Sequence, residues 1–287
     1  MKVLILGTGK TGTTVMVYKV AGGLPNSYAF SGGRPGKYVG NYENAVYKHT
    51  YEERKGKSFE VFQEHLNKEH YDRKIWMARD PRDAAVSRML YRWHKGFMGR
   101  KKQYETHLEL VLKKEKDPHS IPFYEICRYT GHDSWPRTSE AVVEEESHRY
   151  QQMIKFVEGL GSDWFRFTFE DMVDNKFDAL NAYLGFEVQA DATVPSSSGK
   201  AKVIRKRSTG DWRHWFTDED VALFKPAFVP YMELIGYDPA DWALSPEPVI
   251  EPEYSSLYML RLRRKAKENI VLRFIDPIAQ RLRKRHA

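Results

Sequence analysis

Near its start the chain carries KVLILGTGKTGTT at residues 2–14. The apolar run at residues 3–6 predicts a buried strand, and the glycines after it predict a tight turn that contains Lys10. Thr13 then begins a helix that we expect to end near Ala21. A strand, a glycine turn and a helix N-terminus in this order direct several backbone N–H groups at a phosphate. The stretch therefore predicts a phosphate-binding turn, although a purely structural turn between two packed elements would carry the same glycines.

The spacing of these glycines is compatible with two nucleotide-binding patterns, and both are incomplete. Gly7, Gly9 and Gly12 satisfy G-x-G-x-x-G, but a dinucleotide site needs an acid about 20 residues further on, and the first acid is Glu43. The pattern of nucleotide hydrolases, G-x-x-x-x-G-K-S/T, needs a glycine where Leu4 stands. The turn alone therefore does not choose among an oxidoreductase, a phosphotransferase and a structural turn.

The composition is that of a globular protein whose positive charge lies at one end. The 287 residues are 41% hydrophobic and carry a net charge of +7. Residues 261–287 hold ten Lys or Arg and two acids, so residues 1–260 carry a net charge of −1. This distribution argues against a general nucleic-acid binder. The single cysteine, Cys127, excludes an internal disulfide and favours a reducing compartment.

The sequence contains no secretory signal and no apolar run of about 18 residues, so we expect a cytoplasmic protein.

Strand and helix patterns alternate along the rest of the chain. The alternation predicts an α/β fold of three layers, with a central, mostly parallel sheet flanked by helices. We expect one domain at residues 1–244, a Pro/Glu linker at 245–254 and a basic helical tail at 255–287. The predicted strands are 45–50, 74–78 and 164–169; the predicted helices are 58–70, 81–94, 103–116, 139–158, 170–184 and 217–235; the predicted loops are 24–43 and 193–210.

Two further stretches are rich in arginine. RDPRDAAVS, residues 79–87, follows a predicted strand, at the end where parallel sheets bind their ligands. RKRSTGDW, residues 205–212, lies in a predicted loop before a helix. Arginine binds phosphate through two parallel charged hydrogen bonds. Taken singly, the first stretch is equally well explained as a helix start with paired charges, and the second as a solvated loop.

Taken together and in this order, the three stretches resemble those of the sulfotransferases that use 3′-phosphoadenosine 5′-phosphosulfate (PAPS). The family's loop P-K-S/T-G-T-T corresponds to residues 9–14, and its block R-D/N-P-R/K-D-x-x-V-S is matched at every position of residues 79–87. Its late block R-K-G-x-x-G-D-W is similar to residues 205–212, and its Y-E-D-L/M is similar to residues 169–172. The resemblance spans roughly residues 1–235 and implies a P-loop-like sulfotransferase fold.

The resemblance also implies which residues bind the donor. Val15 stands where the family often has an adenine-stacking aromatic, and Arg207 where it usually has Gly. No metal is expected, because a cation beside the bridging oxygen can stabilise the leaving phosphate. The implied donor-binding residues are Lys10, Thr11, Gly12, Thr13 and Thr14 for the 5′-phosphosulfate, Arg79, Ser87, Arg205, Lys206 and Gly210 for the 3′-phosphate, and Phe169 for the adenine.

The implied reaction is an in-line sulfuryl transfer to a hydroxyl or amine of a small-molecule, carbohydrate or glycolipid acceptor. Lys10 would stabilise the leaving phosphate, and a histidine or carboxylate would take the acceptor's proton. The family's base often lies in K-T/S-H at a strand end, which Lys48-His49 resembles with one residue missing. We therefore predict His49 as the base, with Glu43 or Glu52 as the carboxylate alternatives. The competing functions are a nucleotide-dependent phosphotransferase and a non-catalytic nucleotide- or nucleic-acid-binding protein.

The C-terminal tail alternates apolar and basic residues. This pattern suits an anionic membrane surface or a partner groove, and it equally suits a helix docked on the body with a solvated basic face. We therefore hypothesise peripheral contact with the inner face of a membrane through residues 255–287. The sequence does not define the oligomeric state.

Overall fold

A computed structural model describes residues 1–31, 43–51, 64, 66, 69–95, 101–130, 136–196, 198, 203, 206 and 208–264. The strands are β1 (Lys2–Gly7), β2 (Ser27–Phe30), β3 (Asn44–Thr50), β4 (Arg73–Ala78) and β5 (Trp164–Thr168). The helices are α1 (Thr13–Gly22), α2 (Pro81–Tyr91), α3 (Lys101–Lys116), α4 (Phe123–Cys127), α5 (Ser139–Glu158), α6 (Phe169–Val173), α7 (Asp178–Leu184), α8 (Trp212–Trp215) and α9 (Asp218–Leu234), with 3-10 turns at Arg92–Lys95 and Pro252–Tyr254.

The described strands form one sheet in the order β2-β3-β1-β4-β5, and every neighbouring pair is parallel. The middle strand, β1, is buried from Val3 to Gly7, as expected for a parallel strand covered on both faces. The predicted α/β class with a central parallel sheet is confirmed. No helix within the described residues is long and apolar enough to cross a membrane.

Helices cover both faces of the sheet and divide the core in two. On one face, α1 and α7 pack against alternate residues of the strands, such as Val3 and Ile5 of β1. On the other face, Leu4 and Leu6 of the same strand join a larger cluster with α2, α5 and α9. The three layers predicted from the alternation of strands and helices are therefore present.

Two local predictions were wrong. The predicted loop at 24–43 contains the edge strand β2, which pairs with β3 although Ser27 and Tyr28 give little apolar signal. The predicted helix at 170–184 is two helices, because Asn175 adopts a left-handed backbone with φ 57° that ends the first helical segment. Most of the predicted helix at 58–70 lies outside the described residues. Within this range, residues 64 and 66 are described and are helical.

Residues 245–264 run back across the body. Ile250 is buried in the larger core cluster, and residues 256–264 form a helix whose Met259 and Leu262 are fully buried there. The first part of the predicted tail is thus a docked helix. Residues 265–287 lie outside the described part.

Candidate functional site

The sheet topology singles out the crevice between β1 and β4. The chain leaves β1 through α1 towards β2 on one side, and it leaves β4 towards β5 on the other. In parallel α/β sheets, ligands bind at the carboxyl ends of the strands where such connections diverge. The glycine turn at residues 8–14 follows β1, and the arginine block at residues 79–87 follows β4. Two of the three predicted binding stretches therefore lie at this crevice.

The glycine turn presents a row of amide donors. Gly12 precedes α1 with φ 82°, and the N–H groups of Val15 and Met16 both donate to its carbonyl at 3.0 and 3.2 Å. The amides of residues 11–14 donate to no acceptor in the described part of the chain. The Thr11 hydroxyl donates to the Thr8 carbonyl at 2.9 Å and closes the turn from inside. Unpaired amides at a helix N-terminus are suited to an anion.

Arg79 connects the arginine block to this turn. Its Nη1 donates to the Lys10 carbonyl at 2.9 Å, and its guanidinium lies 4.0 Å from the centroid of the Phe169 ring. The side chain is buried, yet its Nε has no hydrogen-bond acceptor among the described residues. Leaving a buried charged donor unpaired is costly, so the position is suited to an anionic ligand.

The second arginine of the block has a structural environment. Arg82 pairs with the Asp80 carboxylate through Nε at 2.9 Å and Nη2 at 2.7 Å, and Asp80 caps α2 by accepting the Arg82 amide at 2.8 Å. The guanidinium lies 3.9 Å from the ring of Trp212 and 4.8 Å from that of Trp242. The alternative of a capped helix start with paired charges therefore describes Arg82, whereas Arg79 lies at the turn.

Asp83 connects the arginine block to the stretch at residues 205–212, called here the late block. Its two carboxylate oxygens accept the N–H of Gly210 at 2.7 Å and the N–H of Trp212 at 3.0 Å. Burial raises the pKa of Asp83 to about 7, while the charge of Arg79 and the two amide hydrogen bonds act in the opposite direction. Gly210 itself has φ 78°, which glycine adopts without strain.

The stretch at residues 169–172 lies against both the arginine block and the glycine turn. Glu170 accepts the Asp80 amide at 3.2 Å and the hydroxyl of Tyr237, and burial raises the pKa of its carboxyl. A Cβ added to Gly12 would lie 2.8 Å from both Phe169 Cδ2 and Met172 Cε. The aromatic and methionine side chains therefore close against the glycine turn, and this position requires glycine.

The predicted catalytic residues occupy neighbouring strand ends. Lys10 has φ 79°, and its Nζ lies 4.0 Å from the centroid of the Tyr91 ring. His49 pairs with Leu6 of β1, near the carboxyl edge. Lys48, for which no separate role is predicted from the sequence, donates from Nζ to Thr14 Oγ1 at 2.9 Å. Strand alternation gives the signal for Lys48, since it faces α1 together with Val46.

The same alternation directs His49 to the opposite face of the sheet. Tyr47 and Tyr51, which share its side of β3, lie in the cluster that contains α2 and α5. The alternative base Glu43 precedes β3, where its carbonyl accepts the N-terminal ammonium at 3.3 Å. Glu43 is therefore at the amino edge of the sheet, opposite the turn, and is excluded as the base. Glu52 lies outside the described residues.

The remaining predicted donor residues differ in their surroundings. Ser87 is half-buried, almost two turns into α2. The Lys206 ammonium forms ion pairs with Asp211 at 3.0 Å and Glu251 at 3.6 Å, so binding a phosphate would require it to leave them. Although burial lowers the pKa of Lys206, these carboxylates raise it, and the net shift is upward. Arg205 lies outside the described residues.

Comparison with known proteins found similarity in structure but not in sequence. No protein-family model matches the chain, and no curated protein matches it by sequence. Among solved structures, the chain is similar to mouse sulfotransferase SULT7A1 complexed with PAP, with 14% sequence identity and a TM-score of 0.48. That alignment covers 80% of this chain and 84% of the mouse chain.

Proposed function

We propose that this chain is a sulfotransferase that moves a sulfuryl group from PAPS to a hydroxyl or amine of a small-molecule, carbohydrate or glycolipid acceptor. The proposal is supported above all by the hydrogen bond from Arg79 to the Lys10 carbonyl. This contact joins two stretches that are 69 residues apart in sequence, at the edge of the sheet where the topology favours a ligand. The two stretches match the two donor-binding motifs of the family.

The described residues fit a donor that carries two phosphate groups. The unpaired amides of residues 11–14 and the start of α1 would hold the 5′-phosphosulfate. Arg79, with a buried Nε that has no described acceptor, would hold the 3′-phosphate together with Ser87. Asp83 would keep Gly210 and its neighbours in place beside this group through the two amide hydrogen bonds.

The chemistry asks two things of the protein. The donor supplies a sulfuryl group on a phosphate leaving group, so negative charge accumulates on that phosphate during transfer. Lys10 and Lys48 would stabilise this charge, because Lys10 belongs to the glycine turn and Lys48 contacts the turn through Thr14. His49, which pairs with β1 close to the turn, would accept the proton of the attacking hydroxyl.

Ligand-dependent thermal stability provides the first test. A ligand at 100 times its dissociation constant stabilises a protein by about 2.7 kcal/mol, or roughly 4–5 °C in Tm for a chain of this size. We expect this shift with PAP, the desulfated donor, and not with ATP or NADH. Arg79→Lys should weaken the PAP shift, because lysine cannot form two parallel bonds to phosphate. A selective shift with ATP or NADH would replace the proposal with a phosphotransferase or an oxidoreductase.

Transfer of labelled sulfate from PAPS to a panel of acceptors is the second test. Lys10→Ala and His49→Ala should each lower turnover by a factor of about 10² or more while the protein stays folded. His70, whose side chain is 87% exposed, provides the matched control as His70→Ala, which should keep normal turnover. Normal turnover in His49→Ala would remove His49 as the base, and PAP binding without transfer to any acceptor would favour a non-catalytic nucleotide-binding protein.

A further inference from the structure

The helix at residues 256–264 is fixed at both ends against α3. At its start, the Ser256 amide and hydroxyl donate to the two carboxylate oxygens of Glu115 at 2.7 and 3.0 Å, and the Ser255 hydroxyl donates to the same carboxylate. Near its end, the Arg263 guanidinium lies 3.9 Å from the Tyr104 ring centroid. The start of the C-terminal helix contacts the end of α3, and its end contacts the start of α3, so the two helices run antiparallel. These contacts also fix the rotation of the C-terminal helix about its own axis.

This rotation separates the side chains of the helix into two faces. Its buried face consists of Tyr258, Met259 and Leu262, which belong to the larger core cluster. Its exposed positions are 257, 260, 261 and 264. At about 100° per residue, these four positions fall within an arc of roughly 100°. They are Leu257, Leu260, Arg261 and Arg264, so the exposed stripe holds two leucines, two arginines and no acid.

The neighbouring part of α3 extends the same surface. Leu112, one turn before Glu115, is 47% exposed, and its exposed neighbours on α3 are Lys113, Lys116 and one acid, Glu109. Because Glu115 contacts Ser255 and Ser256, Leu112 lies level with the first turn of the C-terminal helix. Leu257 and Leu260 are 51% and 45% exposed. We call the seven residues Leu112, Lys113, Lys116, Leu257, Leu260, Arg261 and Arg264 the outer face.

We infer that the outer face binds an anionic lipid surface. Exposed leucines among arginines and lysines are the composition of helices that lie in the membrane interface, where apolar side chains enter the acyl boundary and cations meet the headgroups. The chain continues from this face with residues 265–287, whose sequence holds seven Lys or Arg and two acids. A symmetric dimer through the outer face would bring the same cations of two copies together, which disfavours a second copy as the occupant.

Vesicle co-sedimentation of the full chain tests this inference. We expect binding to phosphatidylcholine vesicles that contain phosphatidylserine, weak binding to phosphatidylcholine alone, and loss of binding at high salt. Leu257→Ser with Leu260→Ser, and separately Arg261→Glu with Arg264→Glu, should each lower the partition coefficient at least about tenfold. Lys155→Glu with Lys225→Glu makes the same charge change at exposed positions of α5 and α9 and should change it less than about threefold.

Three results would overturn the inference. Equal binding of the wild type to both kinds of vesicle would remove the anionic surface as the partner. Outer-face variants that bind as well as the wild type would assign any membrane affinity to residues 265–287. Self-association that the leucine variant abolishes, measured by sedimentation equilibrium, would make the outer face a dimer interface. Thermal unfolding of each variant verifies that the exposed substitutions leave the fold intact.

Discussion

Replacing Asp83 by Asn tests whether one buried carboxylate holds the candidate site together. In the wild type, its two oxygens accept the N–H groups of Gly210 and Trp212 at 2.7 and 3.0 Å. Asparagine keeps one acceptor oxygen and turns an NH₂ group towards the other amide. The variant therefore loses one hydrogen bond to a charged group, worth about 1.5–3 kcal/mol, and leaves a buried donor unpaired, at a further cost of about 1–3 kcal/mol.

Part of this loss is offset because the carboxylate is itself costly to bury. Burial raises the pKa of Asp83 to about 7, so measurements at pH 8 refer to the ionised group. We expect the free energy of unfolding to fall by about 2 kcal/mol in urea denaturation, which a domain of ordinary stability survives. The affinity for PAP, measured by calorimetry, should fall at least about tenfold, because the segment around Gly210 is then held to α2 by one hydrogen bond instead of two.

Asp220→Asn is the matched control for this change. Asp220 of α9 is likewise a buried carboxylate whose two oxygens accept two amides, those of Phe123 and Tyr124 at 2.7 and 2.9 Å, and it has no described contact with the glycine turn or with residues 205–212. Its replacement should lower the free energy of unfolding by a similar amount and leave PAP affinity unchanged. If Asp83→Asn retained both the wild-type stability and the wild-type PAP affinity, the role of Asp83 as the link between the two blocks would be refuted.

Two other substitutions have expected outcomes that follow directly from the geometry. Gly12→Ala should lower the free energy of unfolding by about 2 kcal/mol more than Gly185→Ala in urea denaturation. Both glycines have φ near 80°, but a Cβ at residue 12 would lie 2.8 Å from Phe169, whereas one at residue 185 would meet nothing within 4 Å. Equal losses in the two variants would exclude the steric explanation. His107 is fully buried, and burial lowers its pKa to about 3, so its contribution to stability is present above pH 6.5 and is lost as the pH falls towards 3. The wild type should therefore lose about 2 kcal/mol of stability between pH 7 and pH 5 that His107→Gln does not lose, and parallel pH profiles of the two proteins would contradict this.

The sequence was sufficient where the physical cause is local. The strand, turn and helix at residues 2–22 follow from an apolar run, from glycines and from a change of periodicity within a few residues. The start of α2 follows in the same way from Asp80 and Pro81, the N-cap and first helical residue. The break at Asn175 was missed because asparagine occurs in helices as well as in left-handed turns, and local pattern does not decide between them.

Contacts between distant parts of the chain could not be derived from the sequence. Asp83 and Gly210 are 127 residues apart, and no local pattern indicates that a carboxylate of α2 holds the late block. The ion pair of Lys206 with Glu251 depends on residues 245–254 returning across the body. For the same reason, the sequence did not decide whether the start of the tail is docked; the contacts of Glu115 with Ser255 and Ser256 do.

The adjacency of Lys48 and His49 has a consequence for the proposed mechanism. Two residues separated by one position share a face of a strand, whereas adjacent residues point to opposite faces. Lys48 contacts Thr14 on the α1 face, while His49 shares the other face with Tyr47 and Tyr51. A lysine that acts on the donor and a histidine that acts on the acceptor are then divided between the two sides of β3. Under the proposed mechanism, the acceptor substrate would approach from the α2 and α5 side of the sheet. Removing Lys48 should then weaken donor binding as well as slow transfer, whereas removing His49 should slow transfer alone.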